Sequence, residues 1–195
     1  MKSVLLKSFA AIFSAFILAG APLASTSAQT TKAAPQTAGL FKKKLSFPAP
    51  AGVSNSSGSA IQPREPAPNI SAERVIFIIS TNTAPNGESI APGQQTTALD
   101  EGGAQMETYV METGYGSGYP KITMAGQTIS PGALEERDLY CVENGLVTVP
   151  CDPGYTAAGY IYIINLSGYQ SGQFTFFNTS VNNTNVTGST SLNIL

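Results

Sequence analysis

Residues 138–151 read DLYCVENGLVTVPC, two β-prone runs broken at Asn144-Gly145 and closed by Pro150. Asn-Gly between such runs marks a two-residue hairpin turn, because both central residues of that turn take positive φ. A turn there sets Glu143 opposite Leu146 and Cys141 opposite Thr148. Cys151 is then three residues out of register with Cys141, so either a bulge or a longer loop brings the sulfurs together or the hairpin reading is wrong. These are the only two cysteines in the chain, and the expectation is that they pair as a structural disulfide. Neither sits in a Cys-x-x-Cys motif or beside a basic residue that would lower its pKa, which argues against a redox role.

The same texture extends on both sides of the hairpin. Short β-prone runs occupy 74–80, 105–113, 121–125, 138–143, 146–149, 159–166, 173–177 and 190–194, separated by turn chemistry such as Asn86-Gly87, Pro92-Gly93, Pro131-Gly132 and Pro153-Gly154. RVIFIIS at 74–80 and GYIYIINL at 159–166 are apolar on both faces, as central strands covered on both sides require. The one helical signal is at 130–136, where Ser130 precedes Pro131 like a cap. The pattern predicts one all-β domain over 71–195, a single antiparallel sandwich or barrel of about seven to eight short strands.

Upstream of that domain the composition changes twice. Residues 1–28 carry Lys2 and Lys7, then the apolar run SFAAIFSAFILAG at 8–20, then small residues to Ala28. This order is that of a secretory signal peptide, with cleavage expected after Ala28. The apolar run falls short of the ~20 residues that a bilayer span needs, so no transmembrane segment is expected in the mature protein. Residues 29–70 are rich in Pro, Ala and Ser, with prolines at 35, 48, 50, 63, 66 and 68. Too little apolar surface is available there to offset ordering, and a flexible, disordered basic tail is expected. One island within it, Phe41, Lys42, Lys43, Lys44 and Phe47, is a candidate docking segment for an acidic partner or an anionic surface.

Charge divides along the same lines. The tail holds five basic residues against one acid, net +4, and the stretch from Ser71 holds three against eleven, net −8. A basic arm on an acidic body suits association with a second copy or with another envelope protein. The acidic body argues against nucleic acid. The chain has no His, which removes Ser-His-Asp and Cys-His catalysis and every His-ligated metal. No calcium-loop spacing organises the acids at Asp100-Glu101 or at Glu135, Glu136, Asp138 and Asp152, and neither a metal nor a cofactor is expected.

The Gly/Tyr loop at 113–120 (TGYGSGYP) is the most distinctive candidate site. Its glycines leave Tyr115 and Tyr119 able to present flat ring faces to a glycan or peptide. Asn178 and Asn185 begin N-x-[ST] acceptor sequences, meaningful only in a host that glycosylates them. The leading expectation is an exported, non-catalytic protein, secreted, periplasmic or at the cell surface, with a structural or assembly role. A binding module built on the Gly/Tyr loop is the alternative, and an enzyme of unrecognised type comes third.

Overall fold

The computed structural model describes residues 45–49, 53 and 67–195. The expected signal peptide and Phe41, Lys42, Lys43 and Lys44 lie outside them. The described chain is all-β and antiparallel. Its strands are β1 (Leu45–Pro48), β2 (Ala72–Ser80), β3 (Glu88–Ser89), β4 (Met106–Thr113), β5 (Lys121–Met124), β6 (Gln127–Thr128), β7 (Leu134–Glu143), β8 (Leu146–Val149), β9 (Gly159–Asn165), β10 (Gly172–Thr179) and β11 (Thr187–Ile194). A single 3-10 turn, Pro131–Ala133, precedes β7, capped by the Ser130 hydroxyl, which accepts the Gly132 N–H. Among the described residues no helix is long and apolar enough to cross a membrane.

Two sheets form, one in the order β1-β8-β7-β9-β4-β2-β3 and one in the order β11-β10-β5-β6. Alternation decides which side chains meet between them. Phe174 and Phe176 of β10, Ile122 and Met124 of β5, and Leu192 and Ile194 of β11 face Val75, Val110, Tyr162 and Ile164 of the larger sheet. The runs that are apolar on both faces fill a second cluster as well, in which Ile76, Ile79, Tyr109, Met111 and Ile161 join Tyr140, Val142 and Val147. That cluster lies in the hollow of the larger sheet, which curls until residues of β1 and β2 line the same cavity.

All eight runs expected from the sequence become strand. Three short strands were not legible: β1, β3 and β6. Of these, β1 corrects the expectation of a flexible tail over 29–70 at those four residues. It pairs with β8, Leu45 opposite Val149 and Pro48 opposite Leu146. Phe47 supplies the physical reason, since it packs against the second apolar cluster. The Ala49 amide continues the contact, donating to the Gly145 carbonyl at 2.8 Å.

The hairpin has the register read from the sequence, Glu143 opposite Leu146 and Cys141 opposite Thr148. Asn144 and Gly145 have φ of 51° and 76°, as that turn requires. The offset of Cys151 is absorbed just past Pro150, where its amide donates to the Leu139 carbonyl at 2.8 Å. Cys151 thereby stays alongside β7 and stands at disulfide distance from Cys141, with the Cα atoms 4.9 Å apart.

Candidate functional site

The Gly/Tyr loop runs from the end of β4 toward β5, across the rim of the space between the sheets. A buried carboxylate holds it. Glu112 is fully buried on β4, facing the other sheet. One of its oxygens accepts the Gly116 N–H at 2.7 Å and the Tyr162 hydroxyl at 3.0 Å. The other accepts the Asn178 side-chain amide at 2.7 Å. Asn178 also donates to the Ser117 carbonyl at 3.1 Å and accepts the Ser117 hydroxyl at 2.6 Å. Glycine is required at 116, because a Cβ there would overlap both the Glu112 carboxylate and the Asn178 amide.

From outside, Arg137 completes the clamp. Its guanidinium lies 3.6 Å from the centroid of the Tyr160 ring, and its Nη2 donates to the Gly116 carbonyl at 3.0 Å. A guanidinium on an aromatic face gains from the ring quadrupole. Tyr115 stacks edge-on against the same ring at 5.4 Å, donates its hydroxyl to the Ala157 carbonyl and has its amide bound to the Pro68 carbonyl. Tyr119, by contrast, is 91% exposed. The structure therefore separates the two tyrosines expected to act as a pair: Tyr115 is built into the wall, and Tyr119 alone faces solvent.

Glu73 is the register partner of Glu112 on the neighbouring strand β2. Neither of its buried carboxyl oxygens meets a donor. Burial first, and the adjacent Glu112 carboxylate second, push its pKa up to about 8. One proton shared between the two carboxyls removes the repulsion of like charges, and Glu73 is its natural carrier. The Tyr162 hydroxyl is raised well above the ordinary phenol value by burial and then by Glu112. Sequence reasoning passed over this pair. Glu73 and Glu112 lie in or beside strongly apolar strand runs, which is the signal that singles them out, but only the β2–β4 register brings them together.

The remaining expected groups are dispersed. Asp100 accepts the Gly102 amide, Glu101 takes the Thr83 hydroxyl at 2.6 Å, and Glu135 takes the Asn165 amide at 2.6 Å. Among the described residues, no three of His, Cys, Asp and Glu come together as a metal-binding group. Asn178 is buried, so its amide nitrogen is closed to a glycan in the folded protein, whereas Asn185 is exposed. Phe47 of the proposed docking island is half-buried in the second apolar cluster.

Two cavities adjoin Arg74. One, of about 490 Å³, is a polar groove walled by Glu73, Gln94, Gln173, Thr175, Ser189 and Ser191. The other, of about 470 Å³, is an apolar cleft between β1 and the β2–β3 edge, walled by Phe47, Ile76, Phe77, Ile90 and Tyr109. Arg74 and Pro92 line both.

No curated protein and no solved structure matches this chain. A family model described as a domain of unknown function (DUF4879) matches residues 65–194. That span takes in β2 to β11 with the latched loop and leaves β1 outside, and the chain belongs to this family.

Proposed function

We propose that this protein is an exported, non-catalytic β-domain with an extracellular or envelope role, assembling with copies of itself or with an envelope partner through its N-terminal arm. The observation that carries this reading is β1. It is a short strand contributed by the Pro-rich basic arm, and it supplies the edge next to β8. Addition of an extended segment to a sheet edge is a recurrent assembly mode, with main-chain hydrogen bonds giving affinity and alternate side chains giving selectivity. Phe47 would be the anchoring side chain. The 17 residues from 50 to 66 separate the strand from the body and span at most about 60 Å, which permits the same pairing with β8 of a second copy.

Size-exclusion chromatography with light scattering tests this on the mature chain, on the same chain without residues 29–69, and on Phe47→Asp. The proposal expects concentration-dependent assembly that both changes abolish. A strict monomer in all three, across concentration and salt, overturns it. The exposure of Tyr119 favours a second reading, recognition of a glycan or peptide by the Gly/Tyr loop. Tyr119→Ala then abolishes binding on a glycan or peptide array with the thermal midpoint unchanged, and an array without hits for the native chain removes this reading.

A further inference from the structure

The apolar cleft and the polar groove meet at Arg74, and the state of that arginine is the anomaly. Its Nε is buried without an acceptor. Glu73, its neighbour in sequence, lines the polar groove beside it, but neither of its carboxyl oxygens bonds to a donor. The group whose charge acts on it is the Tyr140 hydroxyl, which is already bonded to Thr113. A partly desolvated guanidinium is costly unless an anion or a hydrogen-bonded carboxylate compensates it. Eleven acids lie in the body, yet none among the described residues pairs with this cation.

The rest of the cavity says what kind of anion would fit. On one side of Arg74 the walls are apolar, with Phe77 and Tyr109 edge-to-face at 5.5 Å and with Phe47, Ile76 and Ile90 around them. On the other side the walls turn to amides, hydroxyls and the Glu73 carboxyl, open to water. The apolar part falls within the ~300–1,000 Å³ of ordinary small-molecule sites. An inorganic anion would leave those apolar walls wet, and a hydrocarbon alone would leave the guanidinium unpaired.

We propose that the cleft between β1 and β2 binds an amphipathic small molecule, a medium-length hydrocarbon chain carrying a single carboxylate or similar anionic head, with Arg74 receiving the head and Phe47, Ile76, Phe77, Ile90 and Tyr109 enclosing the chain. The cleft shares β1 and Phe47 with the arm's proposed role in assembly, and it keeps that wall whether the strand comes from the same chain or from a second copy. Fork-like pairing with a carboxylate is what a guanidinium does best, and the pairing strengthens where water is thin.

Titration calorimetry of the mature protein with decanoate below its micelle-forming concentration tests the site. Decanol, decyltrimethylammonium and acetate are titrated in parallel. The expected result is saturable binding of decanoate at one site, weaker binding of decanol and none of the cationic amphiphile. Arg74→Gln weakens decanoate about tenfold or more and leaves decanol unchanged, since a charged hydrogen bond is lost and apolar contact is kept. Ser89→Trp, on the exposed rim of the cleft, blocks both ligands and keeps the test decisive should Arg74→Gln fail to fold. Absence of decanoate binding, equal binding to Arg74→Gln, or binding of acetate as tight as that of decanoate would each overturn the proposal.

Discussion

Glu73 carries its unusual chemistry because three things coincide at one position: a carboxyl side chain, burial, and a second carboxyl directly across the ladder. Glu107, buried on the other face of β4, is pushed up to about 7 by burial and then by Glu135, and burial also raises Glu101. A carboxyl that keeps its proton to higher pH when folded stabilises the fold below its unfolded value of about 4.5. That contribution drains away as the pH rises through about 7 and 8. Urea unfolding should therefore show the protein more stable at pH 5 than at pH 9, with Glu73→Gln removing most of the loss above pH 7. A rise in stability over the same interval would refute the shared proton. Glu112→Ala is a different case, because it strands the Gly116 amide, the Tyr162 hydroxyl and the Asn178 amide without their acceptor. About 3–5 kcal/mol should be lost, and the Gly/Tyr loop should become protease-sensitive.

Elements divide into those whose information is local and those that exist only through a neighbour. The β7–β8 hairpin belongs to the first kind: Asn144-Gly145 sets the turn, and the turn sets every opposite pair up to Cys141 and Thr148. Cys141→Ser should leave that register in place while lowering stability by about 2.5–3 kcal/mol, the expectation for a short closed loop. Mass spectrometry of protein taken from an oxidising compartment should find no free thiol. β2 and β9 were equally legible from composition, because runs apolar on both faces have few other destinations. β1, β3 and β6 belong to the second kind. Four residues that follow three lysines and end in a proline carry no period that can be recognised, and β1 becomes a strand only because β8 offers an edge and the second cluster offers Phe47 a place. The candidate site was half legible. The loop stood out by its glycines and tyrosines, but what holds it depends on β4, β7, β9 and β10 bringing Glu112, Arg137, Tyr162 and Asn178 together, which no local pattern encodes.

At the scale of the whole molecule, two sheets share an apolar interior that ends in a polar tie. Phe176 is fully buried in that interior, 5.0 Å from Tyr162 between ring centroids, and Phe176→Ala should cost about 3–5 kcal/mol in urea unfolding. The tie is Asn178 of the smaller sheet bound to Glu112 of the larger, and it has a consequence for how the protein can be made. Asn178-Thr179-Ser180 is an acceptor sequence that a glycosylating host reads on the chain as it emerges, before either sheet exists. An oligosaccharide attached at that moment would occupy the nitrogen that must later reach Glu112, and would have to fit where almost no space is left. Synthesis in such a host then becomes a race between folding and the transferase, with each modified chain barred from its native state. Peptide mapping of material secreted by yeast should find glycan at Asn185 and none at Asn178, while chains modified at Asn178 accumulate inside the cell.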